Sequence, residues 1–278
     1  MDFFQQHDTL WLLALAASLG LTGLVAGVLA GLLGVGGGIV IVPVLFHLFS
    51  LLGIDASVRM HLAVGTSLAS IIPTSILSAR AHRQRGSLSW PLLRQLLPWV
   101  VLGVALGAVL SGFISGKSLS ALFATVALLV ALNMAFKPHG FNWGDTLPGG
   151  PTRAMIGASI GSLSTLMGIG GGTLSVPLLS AFKTPMHTAV GTGAALGLVI
   201  SVPGALALMF NGWGADKLPP ASVGYVNLLG LALIVPATLL STSWGARLAH
   251  ATDARRLRQL FAIFLALTSA RMFQSLWA

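Results

Sequence analysis

Residues 34–43 read GVGGGIVIVP, and residues 168–177 read GIGGGTLSVP. In both stretches, three consecutive glycines are followed five residues later by a proline. Glycine is about 1 kcal/mol less favourable than alanine inside a helix, and proline removes a backbone hydrogen bond. Each stretch therefore predicts an interrupted helix. The same interruption occurs twice, at an offset of 134 residues.

Two further matches indicate that the whole chain is duplicated. Residues 61–66, HLAVGT, match residues 187–192, HTAVGT, at an offset of 126. The third match, at an offset of 138, pairs four residues of the first half with four of the second half: Leu119, Leu122, Phe123 and Ala124 with Leu257, Leu260, Phe261 and Ala262. The matches keep the same order in both halves. We predict a first repeat at residues 1–138, a Gly- and Pro-rich linker at 139–151 and a second repeat at 152–278.

The composition places this duplicated chain in a lipid bilayer. Hydrophobic residues make up 55% of the chain, charged residues only 8%, and the mean hydropathy is +0.90. Soluble domains carry about 25% charged residues. The sequence contains ten apolar runs, but those at 39–52, 154–167 and 173–182 are shorter than the roughly 20 residues that cross a bilayer. We predict an all-α polytopic membrane protein with five helical segments per repeat, each repeat opening with a glycine-broken hairpin.

Basic residues predict that the two repeats are inverted relative to each other. Lys and Arg are enriched in cytoplasmic loops of membrane proteins. With the N-terminus outside and each glycine cluster at a hairpin tip, 11 of the 15 basic residues lie at cytoplasmic ends. If each cluster instead bent one crossing helix, the two Arg-rich loops would face opposite sides. The hairpin arrangement is favoured, and it predicts an N-terminus on the periplasmic side.

The residue inventory excludes several functional classes. The chain has no Cys and no Glu, and its six Asp residues all lie outside the apolar runs. It therefore lacks the intramembrane carboxylates that usually bind Na⁺ or carry protons. Disulfides, thiolate metal sites and HExxH-type zinc sites are absent from the sequence, and we predict neither a cofactor nor a metal. The scattered basic residues argue against nucleic-acid binding, and an enzyme or an assembly scaffold is disfavoured.

The glycine clusters are the first candidate site. The short flanking runs predict that both hairpin tips stop near the bilayer midplane, where helices starting near Gly38 and Gly172 would point their N–H groups into a cavity. A helix N-terminus favours an anion, and the missing Cβ atoms allow close approach. The predicted substrate-binding residues are Gly36, Gly37, Gly38, Gly170, Gly171 and Gly172, with Pro43 and Pro177 as hinges or helix breaks. The alternative is that these glycines only allow close helix packing.

The second candidate set consists of hydroxyls and histidines next to the HxAVGT matches. We predict that Thr66, Ser67 and Thr192 bind substrate, whereas the second repeat has Gly193 where the first has Ser67. Thr66, Ser70, Thr74 and Ser78 recur every four residues and share one helix face, although such hydroxyls also bond to their own backbone. His61 and His187 are candidates for gating or proton-linked roles, with a structural hydrogen bond as the alternative.

These motifs carry a family resemblance. The stretches GLLGVGGGIVIVPVL, AVGTSL and GIGGGTLSVPLL resemble the TauE/SafE family of sulfite exporters, also described as sulfonate uptake permeases. The resemblance covers nearly the whole chain in the same two-halved order. It implies a multi-pass protein of the cell inner membrane that moves sulfite, organosulfonates, thiosulfate or related anions.

Together, the residues and the resemblance predict a transporter of small sulfur-containing anions that works by alternating access around a midplane site. Export is expected, with an anion channel or an uptake permease using the same site as alternatives. The expected partners are the anionic substrate and the bilayer. The sequence leaves open the individual sulfur anion, the coupling ion and whether the chain forms a homo-oligomer.

Overall fold

The computed structural model describes residues 9–33, 37–136, 143–251 and 254–277. These residues form ten helices: α1 Thr9–Leu33, α2 Gly38–Leu51, α3 Ala56–Gln84, α4 Trp90–Ser111, α5 Gly116–Phe136, α6 Gly150–Met167, α7 Gly172–Ala181, α8 Met186–Asn211, α9 Leu228–Ala251 and α10 Ala254–Trp277. A two-stranded antiparallel hairpin, β1 Ser222–Val223 and β2 Val226–Asn227, precedes α9. The ten predicted segments are therefore present as helices. The hairpin was not predicted, and α6 begins inside the stretch assigned to the linker.

Four of the described helices are long and apolar enough to cross a membrane, namely α3, α4, residues 116–133 of α5, and α8. On α4, large apolar side chains such as Val101, Leu106 and Val109 are exposed, whereas Gly103 and Gly107 face other helices. A water-soluble surface rarely shows so continuous an apolar face, and lipid is its natural environment. The prediction of a mainly helical protein with several apolar spans is confirmed for the described residues, apart from the β1–β2 hairpin.

The long helices α3 and α8 lie antiparallel at the centre of the molecule. A Cβ atom added to Gly197 of α8 would lie 2.7 Å from Ser75 Oγ of α3, and one added to Gly204 would lie 3.1 Å from Leu68 Cδ1. As the residue number rises along α8, its partner on α3 falls, which fixes the direction. The middle of both helices is buried. This central pair is the surface against which the two short helices α2 and α7 pack.

The remaining helices pack as pairs around this centre, α1 with α9, α6 with α4, and α10 with α5. Small residues let the backbones approach closely, as is common between helices in membranes. A Cβ atom on Gly27 of α1 would lie 2.4 Å from Thr238 O of α9, and one on Gly103 of α4 would lie 2.2 Å from Ala158 O of α6. Each half of the chain thus packs its first helix against the fourth helix of the other half.

Candidate functional site

Glycines in the left-handed conformation lie next to α2 and between α6 and α7. α6 ends where Gly168 adopts the left-handed conformation with φ 67°, and its N–H donates to Thr165 O at 3.3 Å. Gly170 has φ 69°, and Gly37, which precedes α2, has φ 73°. Residues with a Cβ rarely adopt this conformation, so these positions favour glycine. α2 and α7 begin at Gly38 and Gly172, where the sequence predicted helices to start.

The helices continue through both prolines, which corrects the expectation of breaks at Pro43 and Pro177. Each proline is the sixth residue of its helix, α2 or α7. A proline removes one hydrogen bond but has a φ angle that fits a helix, and membrane helices tolerate it when neighbouring groups compensate. The interruption of the helix is therefore at the glycines alone. Gly36 was predicted as a site residue but lies outside the described residues.

The two tips touch each other. A Cβ atom on Gly38 would lie 2.5 Å from Gly168 O and 2.8 Å from the Cα of Ile169. Ser67 of α3 fixes this contact, because its hydroxyl donates to Gly168 O at 2.7 Å and is fully buried. Two of the predicted site residues, Ser67 and Gly38, therefore contact the tip between α6 and α7. The Ser67 hydroxyl bonds to backbone there.

The second tip also packs against the central helix α8. A Cβ atom on Gly171 would lie 2.4 Å from Gly197 N and 2.7 Å from Gly193 O. These are backbone atoms, which cannot turn away as a flexible side chain can. Gly193, the residue that replaces the hydroxyl of Ser67 in the second half, is therefore part of the surface that receives the tip.

A cavity of about 30 Å³ lies at the N-terminus of α7, between the tip and the central helices. It is lined by Ile71, Thr74, Ser75 and Ser78 of α3, Gly171 and Gly172 of the tip, Gly193, Ala194 and Gly197 of α8, and Thr242 of α9. Ser75 is 5% exposed and makes no hydrogen bond with the described residues, so its hydroxyl is available to a bound solute. The volume is about that of one water molecule.

The charge around this cavity is suited to an anion. None of its lining residues is acidic, and the described aspartates, at positions 55, 145 and 216, lie outside the helices. The first N–H groups of a helix have no acceptor within that helix and carry partial positive charge. The N–H of Ser175 donates to the O of Gly171, the residue that precedes α7, at 3.2 Å. The N-terminal turn of α7 therefore presents a positive potential to the cavity.

Thr66 and Thr192 do not line this cavity. Both are fully buried, and each accepts a hydrogen bond from a loop of the other half: Thr66 Oγ1 from Asn227 N at 2.9 Å, and Thr192 Oγ1 from Ser89 N at 3.4 Å. The preceding glycines make matching contacts, since a Cβ on Gly65 would lie 2.1 Å from Tyr225 O. The predicted role of these threonines in substrate binding stays untested, but their hydroxyls are already engaged by the loops before α9 and α4.

The predicted hydroxyl stripe of α3 divides into two parts. Ser70 Oγ donates to Ser67 O at 2.7 Å, and Thr74 Oγ1 donates to Ile71 O at 2.9 Å, so these two hydroxyls bond to their own helix. Thr74 and Ser78 nevertheless line the cavity together with Ser75, which lies beside the stripe. The four-residue spacing therefore predicted the part of α3 that lines the cavity, but it did not predict Ser75, whose hydroxyl makes no hydrogen bond with the described residues.

The two repeat-related histidines lie in different environments. His61 is 5% exposed, its ring stacks on Tyr225 at 4.9 Å, and its Nε2 is 3.1 Å from Ile114 O. His187, in the first turn of α8, is exposed. Neither residue lines the cavity. The matched sequence therefore does not give the two side chains matched surroundings.

An ion pair joins the two halves at the loops outside the helices. Lys217 Nζ lies 2.9 Å from Asp55 Oδ2, and Asp55 also accepts from the N–H of Ser57 at 2.9 Å. The Lys217 ammonium and the Ser57 hydroxyl and N–H hold the pKa of Asp55 well below its ordinary value. The carboxylate raises the pKa of Lys217 in turn. Both side chains are exposed, so water and salt weaken the pair.

Sequence reasoning missed Ser75, Gly197 and Thr242. Gly193 and Gly197 are four residues apart on α8, a spacing of small residues that marks close helix contact in membranes. That spacing was a usable signal for the surface that receives the tip. Ser75 has a counterpart in Ser201 at the 126-residue offset, which was a second signal. No sequence pattern indicates that Thr242 lines the cavity.

Comparison with known proteins gives a consistent result. A family model described as sulfite exporter TauE/SafE matches residues 19–272. A Haemophilus influenzae protein described as a "probable membrane transporter protein" is 32% identical, over 91% of this chain and 96% of its own length. Similarly described proteins from Methanocaldococcus jannaschii and Bacillus subtilis are 28% and 27% identical over 88% and 90% of the chain, and 90% and 94% of their own lengths. No solved structure is significantly similar. The similarity extends over nearly the whole chain rather than over one motif.

Proposed function

This chain belongs to the sulfite exporter TauE/SafE family of membrane transporters, and on that premise we propose that it carries a small sulfur-containing anion across the cell inner membrane. The substrate class is sulfite, a sulfonate, thiosulfate or a related anion. The family description supplies the sulfur. The charge and polarity of the cavity at the N-terminus of α7 supply the argument for an anion.

The observation that carries the proposal is this cavity between the tip and the central helices. It combines a helix N-terminus, the Ser75 hydroxyl without a partner among the described residues, and a lining without carboxylates. Hydrogen bonds to an ionised acceptor are about twice as strong as neutral ones, so few donors are needed to hold a divalent or monovalent oxyanion. Broken helices of this kind line substrate sites in several transporter folds.

Inverted repeats at residues 1–138 and 152–278 would explain the reciprocal contacts. The first half's Thr66 accepts from the loop before α9, and the second half's Thr192 accepts from the loop before α4. The first helix of each half also packs on the fourth helix of the other. Such exchanged pairs are expected if a two-fold axis in the membrane plane relates the repeats, and this axis would then pass through the crossing of α3 and α8. This symmetry supports alternating access by movement of one repeat against the other.

The cavity is smaller than the proposed substrate, which supports movement around the site when an anion binds. A space of about 30 Å³ holds one water but not an oxyanion of four or more heavy atoms without movement. Ser78 and Thr242, which line the polar end of the cavity, are half-buried, and Ser78 lies two residues before Arg80 on α3. With the N-terminus on the periplasmic side, this end faces the cytoplasm. An anion would enter from there and leave outward, in the direction that an inside-negative potential favours.

Flux into proteoliposomes tests this function. Purified full-length protein is reconstituted, and uptake of ³⁵S-labelled sulfite, thiosulfate and a small sulfonate is measured while the potential and the pH gradient are set independently. Saturable uptake of one anion, faster with the compartment of arrival positive, is expected. Equal background flux of all three anions under every gradient, with folded protein, would refute the sulfur-anion assignment.

A further inference from the structure

The cavity has a counterpart set of residues at the 126-residue offset between α3 and α8. On α3, Ser75 corresponds to Ser201 and Ser78 corresponds to Gly204; on α8, Ala194 corresponds to Leu68 of α3. The first members of these pairs line the cavity at the N-terminus of α7. The second members lie on the other side of the crossing of α3 and α8. The two sets can therefore be compared position by position.

The counterpart set is closed. Leu68 is 0% exposed and packs directly on α8, since a Cβ atom on Gly204 would lie 3.1 Å from its Cδ1 and 3.3 Å from Thr165 Cγ2 of α6. Gly38 is likewise covered, by the Ile71 side chain at 2.7 Å from its added Cβ position. Where the cavity has Ala194, this side has the larger Leu68. That side chain occupies the space in which a second cavity would open.

Ser201 is an anomaly in this closed face. It is 0% exposed, and its Oγ has no hydrogen-bond partner among the described residues. Ser164 of α6, next to the Thr165 that packs on Gly204, is also 0% exposed with an unpartnered Oγ. Buried hydroxyls are nearly always hydrogen-bonded, and an unmet one is destabilising. The Ser201 hydroxyl, three residues before Gly204 on α8, indicates a polar position whose partner is missing in this conformation.

We propose that Ser201 lines the anion site in the opposite-facing conformation, where Leu68 withdraws from Gly204. Ser201 then has the role that Ser75 has in the present cavity, and the anion or its water satisfies the hydroxyl. The inference rests on the proposed function, because repeat-related positions exchange environments only if the repeats are inverted and alternate. It adds that the transported anion meets a different serine on each side of the membrane.

Single-cysteine labelling tests the proposal, and the natural chain has no cysteine to remove. Ser75→Cys, Ser201→Cys and Leu68→Cys are made separately in the full chain, with Ala127→Cys as a fully buried control in α5. A membrane-impermeant methanethiosulfonate reagent is applied to spheroplasts, which expose the outer face, and to inverted vesicles, which expose the cytoplasmic face. Sulfite is omitted because it attacks the reagent, and flux is measured in parallel on unlabelled protein.

Ser201→Cys is expected to react from the outer face about tenfold or more faster than Ala127→Cys, because even a minor open state is sampled repeatedly. Ser75→Cys should react from the cytoplasmic face. Labelling of Ser201→Cys and Leu68→Cys at the rate of the control, or from the same face as Ser75→Cys, overturns the inference even if an anion is transported. Outer-face labelling without flux of any sulfur anion retains the inference and removes the substrate assignment instead.

Discussion

Replacing Gly171 by alanine should slow transport without preventing insertion of the protein. The added Cβ would lie 2.4 Å from Gly197 N, where ordinary van der Waals contact begins at 3.4 Å. The tip and α8 would have to separate by about 1 Å. Because the atoms in conflict are backbone, neither side can relieve the clash by changing a rotamer. The clash therefore raises the free energy of the conformation in which the tip packs against α8.

Overpacking of this kind costs about 1–3 kcal/mol. If the opposite-facing conformation does not share the clash, its population relative to the present one rises by about 5- to 150-fold. A carrier must visit both conformations in each cycle, so the transport rate should fall by a similar factor. The maximum rate should fall for this reason, and because Gly171 also lines the cavity, the added methyl group should raise the half-saturating anion concentration as well.

The assay is uptake of labelled anion into proteoliposomes, with protein insertion and thermal unfolding measured on the same samples. Gly20→Ala in α1 is the matched control, because a Cβ added there meets nothing within 4 Å. That variant should transport like the natural protein. Normal transport by Gly171→Ala would show that the close contact of the tip with α8 is irrelevant, and the reasoning would fail.

Three further predictions concern hydroxyls and the loop ion pair. Ser75→Ala should raise the half-saturating anion concentration by at least about tenfold, since a hydrogen bond to a charged group is worth about 1.5–3 kcal/mol; an unchanged value would remove Ser75 from the site. Thr66→Ala should destabilise the protein by about 1–3 kcal/mol by leaving a buried N–H unpaired. Thr192→Ala should lower the thermal midpoint less, because its bond is longer, at 3.4 Å; equal shifts would contradict this. Asp55→Asn should lower the midpoint at neutral pH. Because the pKa of Asp55 is lowered in the folded protein, the difference should begin to shrink as the pH falls below about 4, the pKa of an unperturbed Asp, and should be lost only as the pH passes the lowered pKa. A constant difference down to the lowest pH would argue against the ion pair.

Local backbone chemistry made much of the fold predictable. Three consecutive glycines are costly in a helix, and the helices do begin at Gly38 and Gly172. The same reasoning overstated Pro43 and Pro177, because one lost hydrogen bond does not end a helix whose neighbours are packed around it. The β1–β2 hairpin escaped prediction, since strands of two residues leave no periodic pattern.

The candidate site was harder to predict because its contacts join distant parts of the chain. Thr66 meets Asn227, 161 residues away, and nothing local shows that its hydroxyl is already engaged. The cavity exists because Gly193 and Gly197 lack side chains at the point where α8 receives the tip. A glycine leaves a cavity only where the residues packed around it, which come from distant parts of the chain, do not fill the space. The repeat offset was the one sequence signal that related residues more than 100 positions apart, and it relates Ser75 to Ser201.

The most direct test of the central claim is counterflow of labelled sulfite. Proteoliposomes are loaded with a high concentration of unlabelled sulfite and diluted into a trace of the ³⁵S-labelled anion, without a potential or a pH gradient. An alternating carrier of this anion should accumulate the label transiently above the external concentration, and Gly171→Ala should slow the rise of this overshoot. Label that only equilibrates would indicate a channel, and no protein-dependent entry at all would contradict transport of sulfite.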